Sequence, residues 1–210
     1  MVWVDSFSRF HIDAIVHGGL VDAWRFTGFY GAPNAQDRDD AWAMMQILNS
    51  KPHLPWLCMG DFNEILFMDE KREGRVLLYN QMQAFRDTLD VCGFVDLGYT
   101  GLEFTWYGNR HGHIIWERLD RREATHDWLE KYLVASIRHL HCVESDHKPI
   151  LLILDPNGES HGWKRKPFRF KEMWLADGAA MTQFLELGSF SLGVILCSWF
   201  LPNLRSVRRC

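Results

Sequence analysis

The sequence predicts a layered α/β fold with mixed β-sheets, and three observations support this prediction. The chain has 210 residues, of which 47% are hydrophobic, which is enough for one core. Short β-branched or aromatic segments bounded by turn residues outnumber the amphipathic helical segments. The helical segments interrupt these strands irregularly, which favours layered, mixed sheets over a regular alternation of strands and helices.

The apolar periodicity places the elements along the chain. Alternation predicts strands in HIDAIV and WRFTGFY, which could form a hairpin, and PWLCM is a short buried strand that ends at Gly60. One helix is predicted in DRDDAWAMMQILNS, and a second begins at the capping residue Asn80 and ends at Gly93. The later elements are the strands FVDLGY, EFTWYG, IIWERLDR, SIRHLHC and PILLIL, with a short helix in THDWLEKYL.

A change of composition divides the chain into three parts. We expect a compact domain over 1–155, a basic linker over 156–176 and a tail of unknown structure over 177–210. The uncharged apolar run 188–202 is shorter than the roughly 20 residues of a membrane-spanning helix, so we expect no membrane partner. The chain does not begin like a signal peptide, and its five cysteines contain no C-x-x-C pair. We therefore expect an intracellular location, nuclear or cytoplasmic.

The overall charge limits how the chain could hold nucleic acid. The net charge is −4 and the pI is about 6.2, whereas proteins that bind nucleic acid through bulk charge are usually basic. A nucleic-acid partner would therefore need a local basic patch or a metal ion. A local basic cluster does occur in the predicted linker, at Lys164, Arg165, Lys166 and Arg169.

The stretch GDFNEIL, residues 60–66, follows a buried strand and allows two interpretations. Asp61 and Asn63 could form a turn, because both residue types bond their own backbone well. They could also point the same way from the strand end, because strand side chains repeat every two residues. In that case Asp61 offers charge for a metal or a water proton, and Asn63 offers an amide to a phosphate oxygen.

Further chemistry-bearing residues lie at the ends of other predicted strands. Asp146 and His147 precede the apolar run PILLIL, and histidine suits proton transfer near neutral pH. Arg118 and Asp120 share one face of a predicted strand, where Asp120 could orient a histidine; the alternative is a surface ion pair. Tyr30 ends a strand beside a Gly-Ala-Pro-Asn turn. Each of these residues also has a purely structural interpretation as a turn or core residue.

Taken in order, these motifs resemble the endonuclease/exonuclease/phosphatase superfamily, whose fold is that of deoxyribonuclease I. The resemblance is greatest to the endonuclease domain of plant non-LTR retrotransposons, and it extends over about residues 10–175. It implies a four-layer sandwich of two mixed β-sheets packed face to face with flanking helices. The matching runs are WRFTGFYGAP, PWLCMGDFNEIL, MQAFRDTLDVCGFVDLGYTGLEFTW, ERLDR, SDHKPILL and FRFKEMW.

The resemblance also implies a metal-dependent DNA-nicking reaction. Asp61 would activate the attacking water, and Asn63 and Tyr30 would contact the phosphate. Asp120 would orient His147, which would bond the phosphate or exchange a proton with it. Asp146 would help to hold a divalent ion, with Mg²⁺ expected and Mn²⁺ possible, because oxygen ligands suit hard cations. Phe104, Thr105 and Trp106 match an FTW signature, in which Trp106 is expected to pack or to contact DNA.

The sequence departs from the family pattern at its start. The family carries an asparagine and a metal-binding glutamate before the residue that matches Tyr30, whereas the first glutamate in this chain is Glu64. We therefore expect the opening strands to be missing, metal affinity to be weak and activity to be impaired.

Three alternatives stay open at this point. One is a non-catalytic relic that at most binds nucleic acid through its basic linker, and another is a phosphatase of small phosphate esters, because a fold does not determine the substrate. The third is a structural zinc site, which would use His139, His141, Cys142 and His147, although their spacing is not customary for zinc.

Overall fold

The computed structural model describes residues 2–17, 19, 21–110, 112–143, 145–154 and 194–197. For Arg110 and for residues 194–197 it describes the backbone alone. The linker expected over 156–176 lies outside the described residues, as does most of the tail expected over 177–210. The three-part division of the chain stays a prediction.

Strands and helices have the following bounds. The strands are β1 (Val2–Phe7), β2 (His11–Val16), β3 (Trp24–Tyr30), β4 (Trp56–Asp61), β5 (Lys71–Arg72), β6 (Phe94–Asp96), β7 (Thr100–Gly101), β8 (Trp106–Arg110), β9 (His113–Glu117), β10 (Asp120–Thr125), β11 (Ser136–His139), β12 (Ile150–Ile153) and β13 (Val194–Cys197). The helices are α1 (Arg38–Asn49), α2 (Tyr79–Cys92) and α3 (His126–Lys131).

The strands form three sheets. The central sheet has six strands in the order β1-β2-β3-β4-β10-β6, and β3 pairs with β4 in parallel while its other pairs are antiparallel. The second sheet has the order β13-β12-β11-β7, with β7 parallel to β11. A small antiparallel sheet joins β5, β9 and β8. Two of the three sheets are therefore mixed.

Alternation along β4 shows how the layers are arranged. Trp56 and Cys58 are buried in a core that includes Trp42 of α1 and Phe85 of α2. Leu57 and Met59, on the other face of β4, are buried in a second core, to which strands β11 and β12 of the second sheet also contribute side chains. Because strand side chains alternate between faces, helices α1 and α2 cover one side of the central sheet and the second sheet covers the other. The α/β prediction is confirmed; the fourth, helical layer stays a prediction.

Most predicted elements are present with shifted ends. The hairpin of β2 and β3 forms, and Gly93 ends α2 in the left-handed conformation with φ of 66°, where glycine is least strained. Asn80 does not cap α2, because the helix begins one residue earlier and Leu78 occupies the N-cap position. Strand β1 is an additional element that the sequence pattern did not predict.

One predicted strand, IIWERLDR, is wrong as a single element. The structure divides it into β9 and β10, which belong to different sheets. The break occurs at Arg118 and Leu119, where the backbone N–H groups of Leu119 and Asp120 donate to the hydroxyl of Thr105 at 3.0 and 2.9 Å. A side-chain acceptor thus replaces a neighbouring strand at this point. The chain crosses there from the small sheet to the central sheet.

In the part of the chain that the structure describes, every helix is too short or too polar to reach across a lipid bilayer.

Candidate active site

Three polar side chains lie in a row at one end of the central sheet. Asp61, the last residue of β4, lies opposite Tyr30 at the end of β3 and opposite Asp120 at the start of β10. Residues directly opposite each other on paired strands point to the same face. Leu57 and Met59 share that face along β4 and pack toward the second sheet. The row therefore lies at the mouth of the space between the two large sheets.

The turn after Asp61 depends on a close approach of backbone segments. Gly60 has φ of 152°, and a Cβ there would lie 2.0 Å from the carbonyl oxygen of Phe29. Asn63 has φ of 54°, a left-handed conformation in which asparagine is enriched. Its backbone N–H donates to Oδ1 of Asp61 at 2.9 Å, and its side-chain amide donates to Oδ2 at 3.0 Å. Asp61 and Asn63 thus form a turn that also fixes the Asp61 carboxylate.

His147 reaches this row from the segment that precedes β12. Its Nδ1 donates to Oδ2 of Asp120 at 2.9 Å, and its Nε2 lies 3.8 Å from Oδ2 of Asp61. One ligand atom of each of these three residues lies within 4.8 Å of the other two. Asp61 and Asp120 are 3% and 4% exposed, so both carboxylates are largely removed from water. We call Asp61, Asp120 and His147 the acidic triad.

Burial and mutual charge determine the ionisation of the triad. Burial, together with the charge of Asp120, raises the pKa of Asp61 to about 7, although His147 and Asn63 oppose this shift. Burial alone would lower the pKa of His147, but the charge and hydrogen bond of Asp120 outweigh it and raise that pKa to about 10. The triad therefore carries a cationic imidazole between two carboxylates, one of which titrates near neutrality.

The remaining expected site residues lie around the triad. Asp146 is exposed, and its Oδ2 accepts a hydrogen bond of 3.3 Å from the indole Nε1 of Trp106. The Asp146 carboxylate does not belong to the acidic triad, although its charge helps to raise the pKa of His147. Tyr30 is half-buried, and its backbone N–H donates to the carbonyl of Phe10 at 2.7 Å. The structure therefore brings Asp61, Asn63, Asp120 and His147 into direct contact and leaves Asp146 at the rim.

Arg118 is not the partner of Asp120 in a surface ion pair. Its side chain is buried, and it binds Glu70 at 2.9 Å and Asp96 at 2.8 Å. The alternative interpretation of Arg118 and Asp120 as an exposed pair is therefore wrong. The strand break at Arg118 and Leu119 turns the two side chains toward different partners.

The structure does not assemble the histidine-rich zinc alternative. Nδ1 of His139 lies 2.6 Å from the carbonyl oxygen of Leu102, and the ring stacks on Tyr99 with centroids 4.3 Å apart. Among the described residues, the acidic triad is the group of three or more such side chains whose spacing could hold a metal ion. His139, His141 and Cys142 do not form a group of this kind there.

Sequence reasoning missed two supports of the site. Thr105 binds the backbone of Asp120, but the FTW match gave it no role. Arg121 of β10 forms ion pairs with Glu70 and, at 2.8 Å, with Asp96. The backbone N–H of Leu66 donates to the Glu70 carboxylate at 2.7 Å, which ties the loop after Asn63 to this charged group. The charged residues of this second group are far apart in the sequence, so no local spacing could have indicated it.

Comparisons with known proteins give structural neighbours of low sequence identity. No protein-family model and no curated protein matches the sequence. The endonuclease domain of TRAS1, a telomere-specific non-LTR retrotransposon, has a TM-score of 0.58 at 16% identity, over 72% of this chain and 67% of that chain. NExo from Neisseria, a 3′ phosphatase bound to a product DNA hairpin, has a TM-score of 0.51 at 19% identity, over 71% and 68% of the two chains.

A second structure of NExo, described as a 3′–5′ exonuclease from Neisseria meningitidis, has a TM-score of 0.51 at 18% identity, over 71% of this chain and 68% of that chain. At such identity the likeness establishes the fold. The two mixed sheets and the few helices match the deoxyribonuclease I-like fold of these neighbours, all of which are nucleases or phosphatases.

Proposed function

We propose that this chain hydrolyses phosphodiester bonds in DNA with the help of a divalent metal ion. The observation that carries the proposal is the acidic triad, in which Asp120 and Asp61 contact the two ring nitrogens of His147 at the mouth between the sheets. A half-buried imidazolium beside two carboxylates can orient an anionic ester and exchange a proton with it.

The donor set of the site fits a hard divalent cation. Asp61 and Asp120 place oxygen atoms close together with little access to water, and the charge of Asp120 makes Asp61 harder to ionise. A cation would relieve this repulsion, and Mg²⁺ or Mn²⁺ accepts carboxylate oxygens readily. Asp146, at the rim, would supply a further oxygen. Such an ion would neutralise charge on the phosphate when bound.

The described side chains have separate roles in this proposal. Asp61 takes the proton of the attacking water, because Asn63 fixes its carboxylate at the mouth between the sheets. Asn63 holds the Asp61 carboxylate in place, and its side-chain amide also donates to the carbonyl of Gly31 at 2.8 Å, so it would contact the phosphate by exchanging one of these two bonds. Asp120 fixes the ring of His147, and His147 directs its Nε2 toward the phosphate. Tyr30 contacts the phosphate from the adjacent strand.

We also propose that the metal binds weakly. The described residues offer the two carboxylates of the triad, with Asp146 at the rim, because His147 as an imidazolium has no lone pair for a metal, and affinity rises with the number and charge of the ligands. We therefore expect a dissociation constant for Mg²⁺ on the order of 1 mM.

The finer assignment is a DNA-nicking endonuclease of a retrotransposon-derived protein, of the kind found in plants. It rests on the matching runs of sequence and on the likeness to the TRAS1 domain. The description of NExo as a 3′ phosphatase and exonuclease favours a second candidate within the same fold, which is removal of a phosphate or nucleotide from a DNA 3′ end. A DNA substrate would agree with an intracellular, nuclear location.

One set of assays tests the proposal and separates the candidates. The purified chain would be incubated with supercoiled plasmid, with a duplex bearing a 3′ phosphate, and with a small phosphate ester, each with 10 mM Mg²⁺ and with EDTA. We expect Mg²⁺-dependent conversion of plasmid to open circles. Release of 3′ phosphate alone would support the second candidate, and hydrolysis of the small ester alone would support a small-ester phosphatase. DNA binding that falls steeply with salt, without turnover of any substrate, would support the non-catalytic relic.

A further inference from the structure

Thr105 is a buried residue that contacts both segments of the chain that carry the Asp120–His147 pair. It is 0% exposed and lies just before β8, outside the acidic triad. Its neighbours belong to different sheets, because Asp120 begins β10 of the central sheet and His147 precedes β12 of the second sheet. A residue in this position can determine how the two sheets meet at the site.

The first contact is made by the side chain of Thr105. Its Oγ1 accepts hydrogen bonds from the backbone N–H groups of Leu119 at 3.0 Å and Asp120 at 2.9 Å. These bonds fix the backbone at the point where the chain leaves β9 and enters β10. Because the backbone of Asp120 is fixed, the position of its carboxylate is restricted as well.

The second contact is made by the backbone of Thr105. Its carbonyl oxygen accepts the N–H of Lys148 at 2.6 Å, and the adjacent Tyr107 N–H donates to the carbonyl of Asp146 at 3.1 Å. Trp106 forms an isolated antiparallel bridge with His147 between these two bonds. The segment that carries His147 is therefore aligned along residues 105–107.

We propose that the Thr105 hydroxyl is a positioning group that sets the 2.9 Å contact between Asp120 and His147. The hydrogen bonds of the Thr105 side chain described above go to backbone N–H groups and not to the carboxylate or the imidazole, so Thr105 acts through the backbone of Asp120. A shift of a catalytic group by about 1 Å can lower a rate by about 100-fold, so a hydroxyl that fixes this backbone matters to turnover. This inference rests on the proposed function only for its kinetic consequence.

Two substitutions separate the hydroxyl from the volume of the side chain. Thr105→Val keeps the shape and removes the acceptor, whereas Thr105→Ser keeps the acceptor and removes a methyl group. Thr88→Val is the matched control, because Thr88 is also buried and its hydroxyl donates to the carbonyl of Ala84 at 2.8 Å within α2. All three variants would be made in the full 210-residue chain.

Plasmid nicking under single-turnover conditions would measure the kinetic effect. Thr105→Val should lower the rate constant at saturating DNA by about 10- to 100-fold, with an unchanged DNA concentration at half-maximal rate, because Thr105 is too buried to touch DNA. Thr105→Ser should stay within about 3-fold of the wild type, and Thr88→Val should match the wild type. Full activity of Thr105→Val, or equal losses in Thr105→Ser and Thr105→Val, would overturn the proposal.

Backbone amide exchange followed by NMR tests the positioning role without any reaction. The amides of Leu119 and Asp120 should exchange about 5- to 10-fold faster in Thr105→Val than in the wild type, and they should be protected in Thr105→Ser. Unchanged exchange at both amides in Thr105→Val would overturn the proposal. If the wild-type chain does not nick DNA and these two amides still exchange faster in Thr105→Val, the positioning role is upheld and the proposed function is refuted.

Discussion

Two groups of buried charges lie beside β10, and they differ in how their charges are balanced. In the acidic triad, two carboxylates share one imidazole, and burial with the charge of Asp120 raises the pKa of Asp61 to about 7. In the second group, which we call the arginine network, Arg118 and Arg121 pair with Glu70 and Asp96.

Asp96 shows the electrostatic consequence of the arginine network. Burial alone would raise the pKa of Asp96, but the charges of Arg118 and Arg121 outweigh it and hold that pKa below its usual value. Each carboxylate of this network has an arginine partner, and the network ties β10, β6 and the loop around Glu70 together. The arginine network is a structural device, whereas the acidic triad has excess negative charge that a cation or a substrate proton can satisfy.

The largest expected effect is the loss of DNA nicking in His147→Ala. Removal of the group that exchanges a proton with the phosphate should lower the nicking rate by about 1000-fold. His53→Ala is the control, because His53 is an exposed histidine paired with Asp127 at the other end of β4, and its rate should stay within about 2-fold of the wild type. Equal rates for the two variants would show that the triad is not the reactive site.

The second effect compares single carboxylates of the two groups. Asp96→Asn should lower the free energy of unfolding by about 3 kcal/mol, because it leaves two buried arginines without one carboxylate partner. Asp61→Asn should leave that free energy unchanged or raise it by about 1 kcal/mol, because it removes a buried charge that repels Asp120. Urea unfolding in EDTA measures both. A loss in Asp61→Asn as large as that in Asp96→Asn would make Asp61 a structural residue.

The pH dependence of stability should have opposite signs in the two groups. The pKa of Asp61 is raised to about 7 in the fold, above about 4 when unfolded, so stability should fall as pH rises through this window. The pKa of His147 is raised to about 10 in the fold, so its contribution is present below about pH 6.5 and is lost toward pH 10. The pKa of Asp96 is lowered in the fold, so the stability that Asp96 contributes is present at neutral pH and is lost as pH falls below about 4.

Urea unfolding at several pH values in EDTA checks these signs. We expect the free energy of unfolding to fall by about 5 kcal/mol between pH 5 and pH 9. In Asp61→Asn this fall should be smaller by the part that Asp61 contributes up to about pH 7, while the part from Glu123, whose pKa burial raises to about 8, should stay. A stability that rises between pH 5 and pH 9 would contradict the charge balance described for the triad.

The smallest expected effect is stabilisation by the metal. With a dissociation constant of about 1 mM, 10 mM Mg²⁺ should raise the free energy of unfolding by about 1.4 kcal/mol. Asp61→Asn should abolish this Mg²⁺-dependent increase. Asp96→Asn should show the same increase, starting from a lower free energy of unfolding without metal. An equal increment in wild type and Asp61→Asn would place the bound ion away from the triad.

The sequence predicted the strand ends of the site better than their arrangement. Asp61 and His147 each lie next to an apolar run, so local periodicity sufficed to place them at strand ends. The pairing of β4 with both β3 and β10 brings Tyr30, Asp61 and Asp120 into one row, and strand order is a tertiary property that local periodicity does not contain. The motif resemblance predicted that Asp120 would orient His147, but it did not predict the strand order.

The unpredicted features arise from single long-range contacts. The division between β9 and β10 depends on the hydroxyl of Thr105, 14 residues from Leu119 in sequence, and the Arg121–Glu70 pair spans 51 residues. Short-range alternation of apolar residues continues through such a break, so IIWERLDR looked like one strand. The position of Asp146 at the rim has a similar origin, because the indole of Trp106 holds its carboxylate.

The most direct test of the central claim is paramagnetic broadening of the NMR spectrum by Mn²⁺. The proposal predicts that backbone signals of Asp61, Asp120 and His147 broaden first as Mn²⁺ is added and recover with excess Mg²⁺, while the signals of His53 and Asp127, at the opposite end of β4, persist. Broadening that begins at His53 and Asp127, or equal broadening at both ends of β4, would contradict a metal site at the acidic triad.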